Sequence, residues 1–235
     1  MRILAFETSA KAASVALLEE DRLTGEYYQN SGQTHSRTIL KMAEDLLENC
    51  GVGVKDVTAV ACAAGPGSFT GIRIGVAAAK GFAWGAELPC VGVSTLEGMA
   101  YQAMDFEGII CCAMDARRQQ VYHALFECRD GKLTRLREDC AISMEEVEKE
   151  LEKYEKRKII VGDGAQLCYN TFGKTMPGCI CAPEHLRMQR ASGVALAARN
   201  LLLTGAEFDG AALVPNYLRL SQAERERMQR MKGAK

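Results

Sequence analysis

Residues 65–71, Gly-Pro-Gly-Ser-Phe-Thr-Gly, leave a short apolar run and enter a helical one. A glycine-rich turn feeding a helix N-terminus can hold an anion on its backbone N–H groups. No Lys-Ser/Thr pair follows the glycines, so the stretch is not a P-loop. Nor is Ser68 the nucleophile of a GxSxG elbow, because Phe69-Thr70 stand where x-Gly would be. His35, His123 and His185 lie far apart and form no HxxxH or HExxH, and Cys179-x-Cys181 alone does not make a zinc site. Two acids recur at matching places, since Glu7 and Asp115 each end a strand and precede a turn. Nucleotide chemistry at such turns needs glycines, so that backbone N–H groups can approach phosphates, with an acid nearby for the metal's waters. Thr8-Ser9-Ala10-Lys11 and Ala116-Arg117-Arg118 contain none. Arg117 and Arg118 offer either a grip on phosphate or a salt bridge across a cleft, for example to Glu7. Gly162-Asp163-Gly164 reads as a plain strand-to-helix connection. The pattern predicts no resident metal, no cofactor and no activated nucleophile, hence no independent enzyme.

The elements that position these residues follow from periodicity. Strands are expected over 2–6, 13–19 and 22–28, then a helix over 36–50 with Ser36 as N-cap and Gly51 as its stop. Its apolar residues Ile39, Leu40, Met42, Ala43, Leu46, Leu47 and Cys50 fill an arc of roughly 160°, wider than the roughly 100° that a core-facing helix needs. A strand over 59–64 and the Gly-Pro-Gly turn lead into a second helix, from Thr70 or Gly71 to Trp84. On it Gly71, Gly75, Ala78 and Phe82 fall on one line, with Arg73 and Lys80 on the far side. Two readings stay open for the glycine line: tight packing on the helix's own sheet, or close approach of a partner. The two charges and the short run exclude a membrane span. A strand over 90–93 and a helix over 95–103 capped by Ser94 complete the half.

The order then starts again. With 3–28 set over the chain 108 residues later, Glu7 meets Asp115, Ala16-Leu17 meets Ala124-Leu125 and Glu19 meets Glu127. A capping box at Ser143/Glu146 opens a helix over 144–154, followed by a strand over 158–161, a helix over 166–172, a strand over 179–181 and a helix over 192–203. The expected fold class is α/β: two duplicated domains, each a mixed five-stranded sheet in the order β-β-β-α-β-α-β-α. The domains span 1–104 and 105–220, the 192–203 helix able to pack back on the first, with a charged tail over 221–235. Such a pair of facing repeats resembles the actin, sugar-kinase and Hsp70 fold.

Composition limits the partners. A formal net charge of −1 argues against binding nucleic acid through bulk electrostatics, although residues 225–235 carry five Lys/Arg against one Glu. The ten cysteines sit in apolar runs without CxxC, and Met1 leads straight into a strand, so the reading is a reduced, cytoplasmic protein with no membrane segment.

Several stretches together carry a more specific likeness. Residues 3–9 (ILAFETS), Thr34-His35-Ser36, 65–84 (GPGSFTGIRIGVAAAKGFAW), 93–97 (VSTLE), 115–122 (DARRQQVY), Gly162-Asp163-Gly164 and 215–219 resemble the TsaB (YeaZ) family, actin-like relatives of TsaD; Glu7 departs from the aspartate more common there. The resemblance implies a cytoplasmic, non-catalytic subunit that pairs with TsaD, which carries the metal and transfers a threonylcarbamoyl group to adenosine in tRNAs reading ANN codons. TsaE is implied as third subunit, tRNA as a partner only through the complex, and a homodimer when TsaD is absent. Pairing in the family uses the first two helices. Here that makes Leu40, Ala43, Leu47, Gly71, Gly75, Ala78 and Phe82 the expected dry contact, with Arg73 and Lys80 at its rim. Glu7, Asp115 and Arg117 would line a residual cleft. The rival readings are a metal-dependent peptidase and a nucleotide-using phosphotransferase of the actin-like fold.

Overall fold

A computed structural model describes residues 1–206 and 208–219; the stretch read as a tail, including the short helix expected at Ser221 and Glu224, lies outside the described residues. The first half runs β1 (Arg2–Glu7), β2 (Ala13–Glu19), β3 (Arg22–Gln29), α1 (His35–Asn49), β4 (Ala59–Gly65), α2 (Phe69–Gly85), β5 (Cys90–Ser94) and α3 (Thr95–Gln102). The second runs β6 (Gly108–Asp115), β7 (Gln120–Arg129), β8 (Lys132–Ser143), α4 (Met144–Leu151), β9 (Lys158–Val161), α5 (Ala165–Cys168), β10 (Cys179–Cys181), α6 (Glu184–Arg187) and α7 (Ala191–Leu203). Two mixed five-stranded sheets result, ordered β3-β2-β1-β4-β5 and β8-β7-β6-β9-β10. In each, the outer hairpin strands are antiparallel and the other joins are parallel.

Local chemistry sets most boundaries. The Ser68, Ser94 and Ser143 hydroxyls accept from the amides of Gly71, Glu97 and Glu146, each satisfying an N–H that its helix leaves open. At Ser143 the Glu146 carboxylate returns the bond, completing the box. The N-cap of α1 lies two residues earlier than its hydroxyl pattern suggests: it is Thr34, without a side-chain bond, and Ser36 lies inside the helix. Its C-terminus is closed by Gly51 at φ +65°, with the Gly51 and Val52 amides on the Glu48 and Leu47 carbonyls. His185 sits in α6.

Helices α1 and α2 cover one face of the first sheet, with Ile39, Met42, Ala43, Leu46 and Leu47 meeting Ile72, Val76, Ala79 and Ala83 over Leu4, Phe6, Val15 and Val60. On the opposite face lies α7, packing Val194, Ala195 and Ala198 against Ile3, Ala5, Ala16 and Ala61. Helix α3 in turn packs Leu96, Met99 and Ala100 against Ile110, Cys112 and Phe126 of the second sheet. Each half thus lends a helix to the other's core. The two cross closely, a Cβ on Gly193 falling on the Gly98 carbonyl. All ten cysteines are free thiols and seven are buried, as apolar core residues would be.

Beyond α7 the chain returns across both domains. The Lys80 ammonium donates to the Ala211 and Leu213 carbonyls at 3.1 and 3.0 Å, and the Asn216 amide donates to the Ala64 carbonyl at 2.6 Å. Tyr217 stacks on Phe69 with centroids 4.3 Å apart, and Arg219 donates to the Ala116 carbonyl in the second domain at 2.6 Å. Gly65 is required beneath this strap: its φ is +123°, and a Cβ there would meet the Asn216 carbonyl.

Candidate functional site: the cleft and the outer helix face

The turn after β1 is packed rather than open. Glu7 is buried, and its carboxylate accepts the Ser9 amide at 2.5 Å. Burial pushes its pKa from the ordinary 4.5 up to about 7, the Ser9 and Thr8 bonds opposing the rise and the nearby Asp163 carboxylate adding to it. From the α2 side, Gly71 and Gly75 close on Thr8. A Cβ on Gly71 would fall on the Thr8 carbonyl oxygen, one on Gly75 on its hydroxyl, and that hydroxyl donates to the Gly71 carbonyl at 2.7 Å. The Ser68 amide donates to Ser9 O at 2.7 Å, and His35 Nε2 bonds Ala10 O at 2.8 Å, tying the start of α1 to the same turn.

A cleft of about 880 Å³ opens beyond this turn, between the domains, lined among others by Lys11, Phe69, Arg73, Asp115, Arg117 and Asp163. Glu7 is not on its wall; the expectation that it faces the cleft fails because the carboxylate folds back onto its own turn. The salt bridge from Arg117 to Glu7 is likewise not formed. The Arg117 amide instead donates to Asp115 Oδ1 at 2.7 Å, and its side chain stays exposed. Arg117, Arg118 and Gln119 have φ of +62°, +57° and +59°, three consecutive left-handed residues without a glycine. Such conformations cost roughly 1–2 kcal/mol each, so this turn holds its arginines at a price the fold meets elsewhere.

Asp163 is the cleft residue that the pattern of glycines concealed. It is mostly buried, accepts from Gln189 Nε2 at 2.9 Å, and has a pKa raised by burial and by the Asp115 charge. An acid between two glycines at the end of a strand, the counterpart of the Gly65 turn, was the available signal. Residues 216–219 also line the cleft and carry no periodicity that would place them there. Among the described residues no group of three or more His, Cys, Asp or Glu is placed to hold a metal ion, and no helix is long and apolar enough to cross a membrane.

The expected partner face is redrawn. Ala43 and Leu47 are buried, and Ala78 and Phe82 pack against the same core, Phe82 tilted on Phe6 at 6.5 Å between centroids. Gly71 and Gly75 point at Thr8, so the glycine line serves the domain's own packing. Lys80 grips the strap; Arg73 is exposed, but its guanidinium lies 4.0 Å over Phe69 with Nε on the Tyr217 hydroxyl. The wide apolar arc of α1 is absorbed by contacts with both the sheet and α2, leaving Leu40 outside at 55% exposure. Besides Thr70, Arg73 and the terminal Gly85, α2 shows to solvent Ala77, Gly81 and Trp84, at i, i+4 and i+7. Trp84 is 88% exposed, and a Cβ on Gly81 would meet nothing within 4 Å.

With this geometry in hand, comparisons place the chain among known proteins. The model of the family described as TsaD, tRNA N6-adenosine threonylcarbamoyltransferase, matches residues 26–227. The tRNA threonylcarbamoyladenosine biosynthesis protein TsaB of Bacillus subtilis (strain 168) is 33% identical over 227 residues, 95% of this chain and 96% of the relative. Its namesake from Escherichia coli (strain K12) is 37% identical over 169 residues, 71% of this chain and 73% of the relative. Among solved structures, YeaZ from Pseudomonas aeruginosa superposes with a TM-score of 0.78 at 27% identity, covering 92% of this chain and 99% of that one. The fold is also similar to that of the ethanolamine utilization protein EutJ from Carboxydothermus hydrogenoformans, with a TM-score of 0.50 at 12% identity, covering 84% of this chain and 90% of that one.

Proposed function

The chain belongs to the TsaB (YeaZ) family, and from that premise we propose that it is a non-catalytic cytoplasmic subunit of the machinery that makes threonylcarbamoyladenosine in tRNA. In this reading it pairs with TsaD, the transferase, is required for transfer to adenosine in tRNAs reading ANN codons, and admits TsaE as third subunit. The equal strand order of the two sheets supports treating the halves as copies of one ancestral unit. The single observation that carries the pairing is the outer apolar surface of α1 and α2: an indole 88% in solvent on the Ala77-Gly81 line of α2, and Leu40 exposed on α1. A small-residue line lets a second helix come close, and a tryptophan beside it supplies a large apolar anchor. The same face would pair two copies of the chain when TsaD is absent. Against an enzyme reading stand the glycine-free turns at 8–11 and 116–119, where side chains occupy the space phosphates would need.

The test is light scattering of the chain alone and mixed with TsaD from the same organism, with tRNA threonylcarbamoylation assayed in the mixture. The lone chain should be dimeric and inert, and the mixture a heterodimer that transfers the group. Trp84→Ala should weaken pairing about 30-fold or more, the scale of a truncated interface tryptophan. Gly81→Leu should block pairing while leaving the isolated chain folded, since its site is open. Pairing unchanged in both variants would move the interface off this face. A lone chain that transfers the group, or binds ATP with phosphate release, would restore the enzyme reading.

A further inference from the structure

We propose that the mouth of the inter-domain cleft docks the phosphodiester backbone of RNA, through Lys11 of the first domain and Arg117 and Arg118 of the second. The inference rests on the reading of this chain as part of a tRNA-modifying assembly, and assigns to this subunit a contact with the substrate. Lys11 and Arg117 line the same cleft from opposite domains, and Arg118 is exposed beside Arg117. Among the described residues none of the three is within 4 Å of a carboxylate oxygen as an ion pair. Two further cations at the cleft hydrogen-bond to neutral groups, Arg73 to a phenol and Arg219 to a backbone carbonyl. The opposing acids are Asp115, one oxygen of which already accepts the Arg117 amide, and Asp163, mostly buried and bonded to Gln189. Since the whole chain carries a formal charge of −1, the remainder holds the compensating acidic excess. Attraction for a polyanion is therefore local to this mouth, which is why the overall charge conceals it.

The placement favours a strand of phosphates over a free nucleotide. A polyphosphate seated inside would meet the carboxylates of Asp115 and Asp163, whereas a backbone crossing the mouth meets the cations without entering. The left-handed run at 117–119 fits this use: Ala116 N to Gln120 O at 3.0 Å, Gln120 N to Arg117 O at 3.2 Å and the Arg117 amide to Asp115 Oδ1 close it without the arginine side chains. The two arginine side chains are left to solvent.

The experiment uses the full chain in complex with TsaD from the same organism and a fluorescently labelled tRNA transcript, titrated by anisotropy from 50 to 200 mM KCl. Lys11→Gln, Arg117→Gln and Arg118→Gln are compared singly and together, with complex formation read by light scattering on the same samples. Each phosphate contact contributes roughly 0.7–0.9 to the slope of log K against log salt, so the triple variant should flatten it by about 2 and weaken binding roughly tenfold or more at 100 mM. An intact complex with unchanged slope and affinity overturns the proposal while leaving the pairing reading untouched; loss of pairing in the unsubstituted chain overturns that reading instead. Truncation after Arg219 that abolishes binding, where the triple variant does not, assigns the contact to residues 220–235 and overturns the proposal. Saturable ATP binding to the chain that the triple variant loses, without change in tRNA affinity, makes the mouth a nucleotide site and overturns it as well.

Discussion

In urea unfolding, Gly75→Leu lowers the stability of the chain by roughly 3 kcal/mol or more, whereas Gly81→Ala, six residues along the same helix, raises it by about 0.5–1 kcal/mol. The contrast isolates what the glycines of α2 are for. A side chain at Gly75 must displace the Thr8 hydroxyl, which donates to the Gly71 carbonyl at 2.7 Å. The variant therefore loses a buried hydrogen bond, worth about 1 kcal/mol net, and overpacks the buried Thr8 side chain, on whose hydroxyl the added Cβ would fall. Gly71→Ala meets the Thr8 carbonyl itself and should also destabilise, despite the helix propensity gained. At Gly81 nothing lies within 4 Å, so alanine brings only the lower backbone entropy of the unfolded chain and better helix propensity. With slopes of about 1–3 kcal/mol per molar urea, the midpoint should fall by about 1 M or more for Gly75→Leu and rise by a few tenths for Gly81→Ala. Equal small effects at both positions would return the glycine line to the partner face.

That contrast also marks how far the sequence could be read. Element types and order were legible because period-2 and period-3.6 patterns, hydroxyl caps and Gly51 act locally, and the first-half hairpin recurs 108 residues on. The candidate face was not, because a helical wheel tells which residues share a line and nothing about what lies opposite. Gly71-Gly75-Ala78-Phe82 and Ala77-Gly81-Trp84 are both lines of small residues ending in an aromatic. Only the β1–β2 turn, brought against the first line by β1 pairing with β4, decides between them. The cleft was half legible. Asp115 and Arg117 are where a matched pair of strand ends puts them, but Glu7 turned inward, and Asp163 and the 216–219 strap come from segments whose position depends on the packing of the second domain against the first.

Both helices and the buried acid converge on one turn. Residues 8–10 are held by Gly71 and Gly75 from α2, by His35 from α1, by the Ser68 amide from the Gly-Pro-Gly turn, and from within by the Glu7 carboxylate. In a nucleotide-binding arrangement this segment would be bare backbone facing a ligand. Here it is the point where α1 and α2 are fixed to the sheet, so its rigidity sets the geometry of the outer surface that carries Trp84.

Glu7→Gln should therefore stabilise the protein at alkaline pH and leave it nearly unchanged in acid. The carboxyl has a pKa of about 7 when folded, against 4.5 for the ordinary carboxylate. Below pH 4.5 both states hold the proton and the burial carries no charge. Between 4.5 and 7 the folded state keeps a proton that the unfolded state has released, so stability falls as pH rises. Above 7 the full difference is lost: about 2.5 pH units at 1.36 kcal/mol each, roughly 3 kcal/mol. Glutamine does not titrate, and its carbonyl can still accept the Ser9 amide. Urea midpoints of the two proteins should coincide near pH 4.5 and separate progressively toward pH 8. Asp163, also raised, titrates in both and largely cancels in the comparison. A constant offset across that range would mean that Glu7 enters the fold already ionised. Its charge would then have to be balanced by something other than the Ser9 amide, and the turn would be open enough to admit it.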